Sequence, residues 1–121
     1  MERDYYGAVI RAFQFGPRRE LTLDVDTFPR RNTATDRTGI ERIRIRLGGI
    51  ANYEEVVQAF SGLNTHESLH YLRDAPASKT TRRLIELEFD RTEQRTLIIA
   101  QHVQEQAAPQ SVPQSNETDA T

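Results

Sequence analysis

The most regular stretch of the sequence is residues 41–47, Glu-Arg-Ile-Arg-Ile-Arg-Leu. Strict alternation of polar and apolar residues is the period of a β-strand, because successive side chains point to opposite faces. One face of this strand carries three arginines and the other carries three aliphatic residues. The arginines are Arg42, Arg44 and Arg46, and the aliphatic residues are Ile43, Ile45 and Leu47. The stretch therefore predicts a strand in a sheet that buries one face.

Two other stretches have the complementary charge. Residues 20–26 alternate Leu and Val with Glu, Thr and Asp, and residues 83–90 alternate Ile, Leu and Phe with Glu and Asp. Opposite charges on neighbouring strands contribute about 0.2–1 kcal/mol per pair, whereas like charges directly opposite are unfavourable. We therefore predict that the arginine strand lies beside at least one acidic strand, with arginines and carboxylates on the same face.

The remaining strand-like stretches form two predicted hairpins. Residues 5–15 and 20–28 are separated by a turn that contains Gly and Pro, and residues 82–90 and 95–103 are separated by a short polar turn. Residues 30–39 are polar and have no periodicity, so they are predicted to form a mobile loop. The hairpins indicate an antiparallel sheet.

The clearest helical pattern covers residues 52–61. Asn52 is a favourable N-cap, and Glu55 lies at the position of a capping box. The apolar residues at helical spacing are Tyr53, Val56, Val57 and Phe60. Residues 65–73 are ambiguous, because their pattern fits either a short helix or a strand. The sequence therefore predicts one helix packed on the sheet and leaves the second segment open.

These elements predict a single α+β domain over residues 4–104. It contains an antiparallel sheet of five or six strands, with one helix at about residues 52–61 on one face. Residues 105–121 are rich in Gln, Ser, Thr and Pro, and this composition cannot bury enough apolar surface to offset the entropy of ordering. We therefore predict a disordered C-terminal tail.

Composition narrows the possible partners. The formal net charge is −2, so there is no general attraction to nucleic acid or to an anionic membrane. The chain has no cysteine, which excludes disulfides and thiolate metal sites. No apolar run has membrane-spanning length, and the N-terminus lacks the pattern of a signal peptide. We expect a cytoplasmic protein without a membrane segment.

One stretch matches a catalytic motif. His66, Glu67 and His70 fit H-E-x-x-H, in which a helix presents two imidazoles one turn apart to zinc and the glutamate activates a bound water. A third ligand is also required, and the sequence after His70 offers none at a suitable spacing. We therefore assign no catalytic, cofactor-binding or metal-binding residue, and a minimal zinc-dependent hydrolase is kept as an alternative.

The arginine strand suggests a different alternative. Arg42, Arg44 and Arg46 could contact an RNA backbone, but no aromatic residue interleaves them for base stacking. An RNA-binding accessory protein is therefore the second alternative, and nucleic acid is not the expected partner. The leading hypothesis is a non-enzymatic protein-interaction or assembly module without a cofactor, which binds another protein or forms a homodimer.

Overall fold

The computed structural model describes residue 1 and residues 5–28, 40–63 and 66–108. The predicted loop at residues 30–39 lies outside the described residues. Seven strands and one helix occur in the described part of the chain. They are β1 (Val9–Gly16), β2 (Glu20–Thr27), β3 (Glu41–Gly48), α1 (Tyr53–Phe60), β4 (Glu67–Asp74), β5 (Arg83–Phe89), β6 (Arg95–Ala100) and β7 (His102–Ala107).

The strands form one sheet in the order β6-β5-β4-β1-β2-β3-β7, and all neighbouring strands are antiparallel. The predictions of an antiparallel sheet, of both hairpins and of one helix are confirmed. The ambiguous segment at residues 65–73 contributes strand β4 rather than a helix.

The predicted number of strands, five or six, is wrong because the last predicted strand is two strands. Strand β6 ends at Ala100 and β7 begins at His102, so only Gln101 separates them. Strand β6 pairs with β5 and β7 pairs with β3, which places the two strands at opposite edges of the sheet. The sheet therefore curls until its two edges meet at Gln101. No Gly or Pro marks this bend, so the sequence pattern could not indicate it.

Strand β3 lies between β2 and β7, with its aliphatic residues buried in the core. Arg42 is directly opposite Asp26, and Arg44 is directly opposite Asp24. The Nε atoms of both arginines donate to aspartate Oδ1 at 2.8 Å. These hydrogen bonds raise the pKa of each arginine above its ordinary value. The predicted pairing of arginine and carboxylate is confirmed for the β2–β3 pair.

The second acidic strand, β5, is not a neighbour of β3. Its glutamates are satisfied by other arginines, because Arg73 of β4 donates to Glu86 at 2.8 Å and Arg95 of β6 lies 3.6 Å from Glu88. The charged residues are therefore distributed over several strand pairs on the outer surface of the sheet.

Helix α1 packs against the inner face of the sheet through Val56 and Phe60, which are both buried. The ring of Phe60 makes edge-to-face contacts with Phe13 of β1 at 5.2 Å and Phe89 of β5 at 5.6 Å between centroids. Strands β1 and β4 pair over only two residue positions, beginning at Val9. The helix therefore fills the space beyond this short pairing.

The predicted start of the disordered tail, residue 105, is wrong. Strand β7 continues to Ala107, and the backbone N–H of Ala108 donates to the carbonyl of Arg42 at 2.9 Å. The hydroxyl of Tyr5 donates to Glu105 Oε1 at 2.6 Å. Composition was misleading because backbone pairing in an edge strand does not require apolar side chains. Residues 109–121 lie outside the described residues.

Candidate functional site

A cavity of about 370 Å³ lies where the β1–β2 turn, the β3–α1 connection and the bend at Gln101 meet. Ligand sites in proteins are usually clefts of roughly 300–1,000 Å³ with apolar walls and a few polar groups. Its lining includes Arg19, Gly49, Ile50, Arg82, Ile99 and Gln101. We call it the Arg19–Arg82 cavity.

Arg19 is held in place by uncharged acceptors. Its Nε donates to the carbonyl of Ile50 at 2.8 Å, and its Nη2 donates to the carbonyl of Ala51 at 3.1 Å. Its own carbonyl accepts from the N–H of Ile50 at 3.1 Å. The guanidinium is therefore fixed at the cavity without a carboxylate partner.

The backbone at Arg19 is strained. Its φ is 58°, in the left-handed region that costs L-residues about 1–2 kcal/mol. The adjacent Arg18 has a φ of 64°, so two successive residues of this hairpin turn adopt the left-handed conformation.

Gly49 brings the β3–α1 connection close to the bend at Gln101. Its φ is 61°, and a β-carbon at this position would lie 2.8 Å from Cδ of Gln101. Glycine is therefore required for two reasons, the backbone conformation and the close approach. This contact forms one wall of the Arg19–Arg82 cavity.

Asn52 fastens the same connection to β6. Its Oδ1 accepts from the N–H of Ile99 at 3.0 Å, and its Nδ2 donates to the carbonyl of Leu97 at 2.7 Å. The amide thus replaces a neighbouring strand along this part of β6. Asn52 is the N-cap residue of α1, as predicted, but its side chain makes no cap hydrogen bond to the helix backbone. The side-chain amide of Asn52 is bound by the backbone edge of β6 instead.

A second depression of about 230 Å³ lies on the outer surface beside Gly48. We call it the Arg46–His102 depression, after two of its lining residues, and Glu20 and Gln104 also line it. Arg46 is opposite Thr22 on β2 and Gln104 on β7. Unlike the other two arginines of β3, it has no carboxylate directly opposite. The carboxylate of the described residues that lines the same depression is that of Glu20.

The structure does not bring the H-E-x-x-H residues together as a zinc site. His66 precedes β4, and Glu67 and His70 are part of that strand, so the helical turn that the motif requires is not formed. The side chain of Glu67 is 3% exposed and lies 3.3 Å from Arg91. His70 lies 3.4 Å from Glu88 on the outer surface. No group of three or more potential ligands able to hold a metal occurs within residues 5–28, 40–63 and 66–108.

Two arginines of β3 have carboxylate partners, because the guanidinium groups of Arg42 and Arg44 donate to Asp26 and Asp24. Neither Arg19 nor Arg82 was predicted to be a site residue. Each belongs to an Arg-Arg pair at the end of a strand, and this pair is the only feature of the local sequence that could have indicated a site. Their proximity depends on the curl of the sheet.

Comparison of the chain with protein-family models, with curated proteins and with solved structures gave no match. Within the described part of the chain, no helix is long and apolar enough to cross a membrane. The function proposed for this chain is therefore based on the geometry of the site.

Proposed function

We propose that the protein is a non-enzymatic binding module that holds an anionic group of a protein partner in the Arg19–Arg82 cavity. The observation that carries this proposal is that two arginines line the cavity and that no carboxylate of the described residues does. Arginine is suited to binding carboxylates because its planar guanidinium offers several donors in a fixed arrangement. An acidic side chain or a terminal carboxylate fits this chemistry.

The shape of the cavity supports the same class of ligand. Ile50 and Ile99 provide apolar wall beside the two arginines, so an aliphatic stem can be buried while its acidic end meets a guanidinium. Arg19 is already fixed by hydrogen bonds to Ile50 and Ala51, so little side-chain entropy is lost when an anion binds. The polar lining consists of groups that hold an anion rather than transfer a proton.

The test is an NMR titration of isotope-labelled protein with acetyl-Leu-Glu-amide and with acetyl-Leu-Gln-amide, which differ only in the carboxylate. We expect the acidic probe alone to shift the backbone signals of Arg19, Gly49 and Arg82. Arg82→Gln should weaken binding about fivefold, because Arg82 is exposed and an exposed ion pair contributes about 1 kcal/mol or less.

The matched control is Arg95→Gln, because Arg95 is an exposed arginine on β6 that does not line the cavity. This variant should bind the acidic probe as the unchanged protein does. The proposal fails if the neutral and acidic probes give the same shifts, or if Arg82→Gln binds the acidic probe with unchanged affinity.

A further inference from the structure

The cations without a carboxylate partner are not scattered over the molecule. Most arginines of the described residues form an ion pair, including those of β3 that face β2. The arginines and lysine of the described residues that form no ion pair with a described carboxylate are Arg18, Arg19, Arg46, Lys79 and Arg82. All five belong to the two depressions or to the turns that border them.

The positions of these five residues follow from the fold. Arg18 precedes Arg19 in the β1–β2 turn, and Lys79 is joined to Arg82 by two backbone hydrogen bonds of 3.0 and 3.1 Å. Arg46 lines the Arg46–His102 depression. The unneutralised positive charge of the described chain is therefore concentrated at one end of the curled sheet.

The two depressions are neighbours. Gly49 and Gln101 line the Arg19–Arg82 cavity, whereas the residues adjacent to them in the chain, Gly48 and His102, line the Arg46–His102 depression. The side chains of His102 and Gln101 lie beside Gly48 and Gly49 and form the boundary between the two depressions. An extended ligand reaches both depressions by passing over these two side chains.

We propose that the partner is an acidic, extended segment of another protein, with one carboxylate in the Arg19–Arg82 cavity and a second beside Arg46. This inference rests on the proposed function and adds the second contact and the extended form of the partner. Charge complementarity is its basis, since Glu20 is the single carboxylate among the described residues that lines either depression.

A peptide fits this surface better than a nucleic acid does. Glu20 repels an anion of either class, but its carboxylate can also accept a hydrogen bond from a peptide N–H, a donor that a phosphate chain lacks. Among the described residues, no aromatic side chain on which a base could stack lines either depression.

The test compares acetyl-Glu-Leu-Glu-Leu-Glu-amide with acetyl-Gln-Leu-Gln-Leu-Gln-amide by isothermal titration calorimetry at physiological ionic strength. We expect only the acidic peptide to bind. Arg46→Gln and Arg82→Gln should each weaken its binding about fivefold, whereas Arg95→Gln should leave it unchanged. Gln104→Glu is a second variant that tests the contact with Arg46. Its new carboxylate would neutralise the charge of Arg46 and should weaken binding of the acidic peptide about as much as Arg46→Gln does.

The acetyl-Leu-Glu-amide probe separates the two proposals. Arg46→Gln should not affect this single-acid probe, which reaches the cavity alone. If the probe binds through Arg82 but neither Arg46→Gln nor Gln104→Glu weakens the longer peptide, the second contact is refuted and the proposed function stands. If neither ligand binds, both proposals fail. Tighter binding of an oligouridylate than of the acidic peptide would overturn the inference in favour of nucleic acid.

Discussion

The imidazole of His102 occupies the space beside the α-carbon of Gly48, where a β-carbon would lie 2.6 Å from ring atom Cδ2. The two residues face each other in the register of β3 and β7. Because β7 begins at His102, directly after the bend, this contact helps to define where the two edges of the sheet meet. The absence of a side chain at Gly48 therefore leaves room for the imidazole in this position.

Gly48→Ala should destabilise the protein by about 1–2 kcal/mol, because the new methyl group displaces the imidazole. In a His102→Ala background the same substitution should be close to neutral, since the obstructing ring is gone. Urea unfolding of the four proteins measures this coupling. Gly49→Ala is the contrasting variant. Its destabilising effect should be the same with and without the His102 side chain, because it arises from the positive φ of Gly49. An equal cost of Gly48→Ala in both backgrounds would contradict the contact.

Asn52→Ala should lower stability by about 1–2 kcal/mol, because the N–H of Ile99 and the carbonyl of Leu97 both lose their partner. Asn52→Asp retains the acceptor for Ile99 but places a carboxylate beside the carbonyl of Leu97, so it should also destabilise. Thermal unfolding gives the stability, and amide exchange at Ile99 gives the local effect. Unchanged protection of Ile99 in Asn52→Ala would show that the amide is dispensable.

A double-mutant cycle on Asp24 and Arg44 should give a coupling free energy of about 0.5–1 kcal/mol. Exposed ion pairs contribute less, but this pair has two hydrogen bonds, of 2.8 and 3.0 Å, and both side chains are less than one-third exposed. The single variants are Asp24→Asn and Arg44→Gln. Raising the salt concentration should reduce the coupling only partly. Additive effects of the two substitutions would mean that the pair does not stabilise the sheet.

Deletion of residues 106–121 should lower the melting temperature by several degrees. It removes the last two residues of β7 and Ala108, which is 6% exposed and hydrogen-bonded to Arg42. Deletion of residues 109–121 alone should have little effect, because the composition of that segment gives it little apolar surface to bury. Differential scanning calorimetry of the two truncated proteins measures the difference. Equal melting temperatures would show that the end of β7 adds nothing to stability.

The purified protein should hold no stoichiometric zinc, and EDTA should leave its melting curve unchanged. A metal bound only by the native state would raise the stability, so its removal would lower the melting temperature. The double variant His66→Ala, His70→Ala should change the free energy of unfolding by about 0.5 kcal/mol or less, because both side chains are exposed. One equivalent of zinc that survives dialysis and disappears in the double variant would contradict this prediction.

The sequence by itself determined the strands whose polar and apolar residues alternate, above all β2, β3 and β5. It also determined that the arginine strand pairs with an acidic strand, but the structure decided that this strand is β2 and not β5. Alternation and charge are local properties of the chain, and a strand with this pattern has one stable way to bury its apolar face. The two hairpins were predictable for the same reason, since each connects neighbouring strands through a short turn.

Only the tertiary structure decided the features that depend on distant partners. The H-E-x-x-H segment forms strand β4 because β5 and β1 pair with its backbone, although its sequence also fits a helix. The polar residues of β7 are ordered by β3, and the amide of Asn52 binds β6 instead of capping its own helix. Arg19 and Arg82 line one cavity because the sheet curls and its edges meet at Gln101. Long-range backbone pairing creates this proximity, and no local pattern in the sequence records it.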